Sequence, residues 1–138
     1  MPDESHESIV HRSIYDGLEL LYSPWEVKGD LSAIGMKGLL QHCQELSDRY
    51  GYPIDPPEEL VNGLGYQSLF AGKVEEAISI FRWNVQHYPR SSNVYDSLGE
   101  AYAKKGETKL AIANYEMSLT LNPDNAAAVE IIKKLKDH

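Results

Sequence analysis

Five histidines and one cysteine are the residues best able to do chemistry in this chain of 138 residues. His6 lies in Glu4-Ser5-His6-Glu7-Ser8-Ile9-Val10, an imidazole among hydroxyls and carboxylates. An imidazole is the side chain most often used as a general base, taking a proton from a serine while an acid orients its ring. The serine itself has no carrier, because no Gly-x-Ser-x-Gly occurs anywhere. His42, His87 and His138 are far apart and follow no ligand spacing such as His-Glu-x-x-His, and His6 and His11 do not pair at a usual spacing either. The run GLGYQSLFAGK, residues 63–73, lacks the Gly-Lys-Ser/Thr end and the preceding strand of a phosphate loop. A single cysteine, Cys43, excludes an intramolecular disulfide and a cysteine-based zinc site, and reads as a small apolar residue on a buried helix face. No metal site, no cofactor and no self-contained catalysis are expected.

Composition narrows the partners. The apolar fraction of 42% with 25% charged residues is that of a folded domain, and the net charge of −8 opposes binding to nucleic acid or anionic lipid. No apolar run approaches the ~18–20 residues that cross a bilayer. Asp3, Glu4 and Glu7 open the chain where a signal peptide would carry basic residues, so no targeting segment is expected and the compartment stays open.

The elements follow from an internal period. A shift of 34 residues lays Leu64 on Leu98, Gly65 on Gly99, Gly72 on Gly106, Ala77 on Ala111, Ile78 on Ile112 and Pro89 on Pro123. Phe81 falls on Tyr115 and Val61 on Tyr95. Mid-helix glycine costs up to ~1 kcal/mol of propensity, so Gly65 and Gly99 predict a neighbouring helix too close for a side chain. Ala77 and Ala111 predict the same on the second helix of each pair. Gly72 and Gly106 suit left-handed ends of the first helices, and Pro89 and Pro123 stop the second ones. Asp55-Pro56-Pro57-Glu58 is expected to form a capping box with Asp55 as N-cap, and Asp124 is expected to cap the final helix. Leu39, Leu40, Cys43, Leu46 and Tyr50 mark a helix from about residue 34 to 50, ended by Gly51-Tyr52-Pro53.

Residues 58–125 resemble the tetratricopeptide repeat family, whose period is 34. The second copy carries Tyr95-x2-Leu98-Gly99-x2-Tyr102, then Ala111, Tyr115 and Pro123; the first departs from it, with Ser68 where an aromatic is usual and Val61 for Trp or Tyr. The resemblance implies an all-α fold of about seven helices, a right-handed superhelical stack of antiparallel helix pairs. Its repeats are about 58–91 and 92–125 within a domain of residues 31–138, closed by a C-terminal capping helix over 126–136. It also implies a groove for a protein or peptide segment, lined by Asn62, Tyr66, Leu69 and Phe70 of the first pair and Asn93, Asp96, Glu100 and Lys104 of the second. Some family members clamp a C-terminal carboxylate with Lys, Arg and Asn. Here Tyr66 and Asp96 stand at the Asn positions and Asn62 at the lysine position, so an apolar or basic segment fits better. The other expectation is a stack that only packs on its own parent protein.

Residues 2–22 resemble a different family, the esterase-like α/β-hydrolases of the ferric-siderophore esterase type. There a Glu-x-His-x-Ser-Val loop carries the catalytic histidine before a helix with Tyr-x-Gly-Leu; here Tyr15-Asp16-Gly17-Leu18 follows His6, with Ile9 for the valine and Glu7 where glycine is common. Residues 1–30 would then be the end of a hydrolase domain and His6 the last triad member, after a serine and an acid in a preceding domain. On this expectation the chain is an accessory part that hydrolyses nothing alone, and the parent hydrolase domain is one possible partner. Taken without the resemblance, His6 is a solvent-exposed residue and the chain a freestanding peptide-binding scaffold.

Overall fold

A computed structural model describes residues 31–137. Six helices follow one another: α1 Leu31–Tyr50, α2 Glu58–Phe70, α3 Val74–His87, α4 Ser92–Lys105, α5 Thr108–Leu121 and α6 Ala126–Lys136. No strand occurs among the described residues. The expected period is visible in the elements, since α2, α4 and α6 open at intervals of 34, as do α3 and α5. This is an all-α helical repeat, and the capping helix α6 stands in the register of a further first helix. α1 is broken at Gly35, whose φ of 59° and ψ of −170° are not helical, so its regular part matches the expected span.

The turns within each pair repeat as well. Gly72 and Gly106 have φ of 78° and 85°. At each, two backbone N–H groups reach back to close the first helix: Gly72 to the Leu69 carbonyl and Lys73 to Ser68, then Gly106 to Ala103 and Glu107 to Tyr102. A left-handed glycine followed by this doubled closure satisfies the last carbonyls of a helix.

The entries to the helices correct the expected caps. α2 begins after Pro57 with no side-chain cap, so Asp55 stands too far upstream to reach its first N–H groups. The entry is fixed instead by Tyr88, whose hydroxyl donates to the carbonyl of buried Pro56 at 2.6 Å. Glu58 does not fold back; its Oε1 accepts from Ser91 Oγ at 2.8 Å and Asn93 Nδ2 at 3.2 Å, tying α2 to the start of α4. At α6 the cap is Asn125, not Asp124, because the helix opens one residue later; its side chain accepts from Ala128 N at 3.2 Å.

Three apolar clusters hold the stack, each joining three consecutive helices. Leu39, Cys43, Val61, Leu64 and Ile80 bind α1 to the first pair. Leu69, Ala77, Phe81, Leu98 and Ala101 bind the first pair to α4. Ala111, Tyr115, Ala128 and Ile132, with half-buried Tyr102 of α4 packed against them, bind the second pair to α6. The fully buried Ala77 and Ala111 mark the close helix approaches, as expected. A Cβ built on Gly65 would overlap the Phe81 ring, with Cδ1 at 2.6 Å and Cζ at 2.7 Å, and one on Gly99 would meet the Tyr115 ring at 3.1 Å. Where Ser68 replaces the motif's aromatic, a cleft of about 180 Å³ remains between Met36, Ser68 and Ile80.

Candidate functional site

The two first helices α2 and α4 lie side by side, and the N-terminus of α6 joins them. On this face the repeat's period places like positions next to each other. The Tyr66 hydroxyl donates to Glu100 Oε2 at 3.0 Å, a bond between residues 34 apart. Phe70, one turn beyond Tyr66, is 75% exposed and stacks on it with ring centroids 5.8 Å apart. Tyr66, half-buried, also meets Phe81 edge-on at 5.2 Å, which anchors the exposed Phe70 ring to the core through it.

Asp96 and Glu100 lie one turn apart on α4, both half-buried. Asp96 Oδ2 accepts from Asn125 Nδ2 at 2.7 Å, while its Oδ1 is enclosed without a partner. Asn62 Oδ1 is likewise enclosed and unpartnered. Burial pushes the Tyr66 phenol above its usual range; the Ser97 hydroxyl opposes the rise, and Glu100 and then Asp96 add to it. Tyr115 behind them is driven up in the same direction, chiefly by burial and then by the two carboxylates.

Of the eight expected groove residues, the structure brings Tyr66, Phe70, Asp96 and Glu100 together, with Asn62 one turn before Tyr66 on α2. Leu69 is a correction: at 2% exposure it is a core residue against Ala77 and Phe81, because α2 turns that side toward its own hairpin. Asn93 is exposed but held by Glu58. Lys104 is exposed on the last turn of α4. Asn125 is the member that sequence reading missed; it lies 34 residues after Ser91, the N-cap of α4, and that offset is the signal that would have found it.

Nothing in this arrangement pairs a nucleophile with a base. Cys43 is 4% exposed, and burial followed by the charge of Asp55 raises its thiol, so it is an apolar filler and not a thiolate. Among the described residues no group of three or more His, Cys, Asp or Glu could hold a metal ion, and no helix is long and apolar enough to cross a membrane. His6 and the hydrolase-like segment lie outside the described residues.

No protein-family model matches the chain. It is 28% identical over 98 residues to cellulose synthase operon protein C of Escherichia coli strain K12, a match covering 71% of this chain and 8% of that protein. The same figures hold for the putative cellulose synthase operon protein C of Escherichia coli O157:H7. It is 32% identical over 79 residues to a chloroplastic tetratricopeptide repeat domain-containing protein of Arabidopsis thaliana, covering 57% of this chain and 26% of that one. The chain thus spans about a quarter or less of the curated relatives it matches. The relatives and the 34-residue helix register together support a tetratricopeptide-like domain, a module for protein–protein interaction.

Proposed function

We propose that the chain holds a segment of a partner protein on the face formed by α2, α4 and the start of α6. The observation that carries this is the exposed Phe70 ring stacked on half-buried Tyr66, beside two half-buried carboxylates. A large exposed aromatic fixed by stacking is a ready contact, since its ordering cost is already met. The test is a selection of random twelve-residue peptides on phage against the full chain, followed by amide chemical-shift mapping. Shifts confined to α2 and α4 support this reading. An empty selection, or shifts on the outer sides of α3 and α5, overturns it.

A finer reading makes the chain the accessory part of an esterase-like hydrolase, with His6 completing a triad. It is favoured by the His6 loop and Tyr15-Asp16-Gly17-Leu18 alone. An antibody against residues 58–125 tests it in the source cell. A band several times heavier than 15.5 kDa that also takes a fluorophosphonate label supports it, and a lone unlabelled band at 15.5 kDa sinks it.

A further inference from the structure

The α2–α4 face carries a charge imbalance. Asp96 and Glu100 are both withdrawn from full solvation, yet none of the ion pairs among the described residues reaches either one. Among the described residues Glu100 receives only the neutral Tyr66 hydroxyl. Asp96 receives, among the same residues, only the neutral Asn125 amide. Lys104, one turn beyond Glu100, is exposed and makes no ion pair with it. A half-buried carboxylate without a cation gives up hydration and gains little in return, which a cationic ligand would reverse.

The same spot offers an aromatic plane. Tyr66 joins the two features, for its hydroxyl holds Glu100 and its ring stacks on the exposed ring of Phe70. Carboxylate acceptors beside an open aromatic face complement a guanidinium, which is planar, permanently charged, rich in donors and prone to stack. An ammonium would answer the charge but not the plane. A partner's terminal carboxylate would be repelled.

We propose that this face recognises an arginine side chain of the partner segment, its guanidinium set between the Glu100 carboxylate and the Phe70 ring. Tyr66 positions Glu100, and Asp96, whose free oxygen is enclosed, contributes through its field and not by contact. The proposal rests on the protein-interaction reading above.

The peptides selected on phage provide the test. Arginine enriched at one shared position is the expected result. For such a peptide labelled with fluorescein, Glu100→Gln weakens binding to the full chain about tenfold, the size of one charge-assisted hydrogen bond. Replacing the peptide's arginine by lysine weakens it less than replacing it by glutamine, and Met117→Ala on the far side of α5 leaves it unchanged. Unaltered circular dichroism of the Glu100→Gln chain shows that the loss is local, and the peptide substitutions make the same test with the unmodified protein. Selected peptides without arginine enrichment, or Glu100→Gln binding within twofold of the parent, overturn the proposal while leaving the interaction reading intact. A selection that returns no peptide overturns both.

Discussion

Three glycine-to-alanine substitutions probe whether close helix approach, rather than turn geometry, explains the repeat's glycines. All three positions are helical, so alanine brings each the same gain of up to ~1 kcal/mol in propensity. Their surroundings differ. At Gly63 an added Cβ meets nothing within 4 Å, so Gly63→Ala should stabilise the chain by nearly the whole gain. At Gly99 the Tyr115 ring lies at 3.1–3.2 Å and needs to give only a few tenths of an ångström. Cost and gain there nearly cancel. At Gly65 the Phe81 ring carbons at 2.6 and 2.7 Å would have to retreat by about 1 Å to reach ordinary contact. Phe81 is fully buried against Leu69, Ala77, Ile78 and Leu98, so the ring has nowhere to go. Overpacking of this kind costs about 1–3 kcal/mol, which leaves Gly65→Ala destabilised by up to ~2 kcal/mol after the helical gain. Urea unfolding followed by far-ultraviolet circular dichroism gives the three values, with unchanged slope confirming that the unfolded state is common. Phe81→Leu in the Gly65→Ala chain should relieve the clash and show a favourable coupling of at least ~1 kcal/mol. Equal stability of the Gly65→Ala and Gly63→Ala chains, or no coupling to Phe81, would refute the reasoning.

Alkaline titration is the second check. Tyr66, Tyr88 and Tyr115 are all raised above the usual 10.0. Their stabilising contribution is therefore complete below pH 10 and lost as the pH climbs toward their folded values. Tyr115→Phe should lessen the loss of stability as the pH climbs above 10, measured by urea unfolding at successive pH values; an undiminished loss would contradict this. Third, Asn125→Ala removes both the α6 cap and the bond to Asp96, and should cost about 1–2 kcal/mol. Hydrogen exchange should quicken first in α6 and leave α2 unchanged; uniform quickening would argue against a nearest-neighbour stack.

The features legible in the sequence were those tied to one residue type by sterics. Gly65 and Gly99 answer to aromatic rings, Gly72 and Gly106 to left-handed turns, and Ala77 and Ala111 to fully buried contacts, each copied at the same offset. Caps were less legible because several nearby residues can serve. Asp55 and Asp124 are as competent chemically as the groups actually used, and a shift of one or two residues in helix start decides between them. Position in the repeat alone places Leu69 in the groove; a helix of 13 residues presents both faces within one turn, and only packing tells which is covered. The Tyr66–Glu100 bond joins residues 34 apart and so was implicit in the period, whereas the Asp96–Asn125 bond spans 29 and follows no repeat spacing.

The cross-links between successive helix pairs also give the stack a mechanical sense. Tyr66–Glu100 and Asp96–Asn125 bridge first helices, and no side-chain hydrogen bond or ion pair joins α3 to α5 among the described residues. Parting α2 from α4, or α4 from the start of α6, pulls directly on these polar tethers, while parting α3 from α5 meets none of that kind. The module should therefore behave as a hinge whose first-helix side is the stiffer, yielding sooner where α3 and α5 spread than where α2, α4 and the start of α6 part.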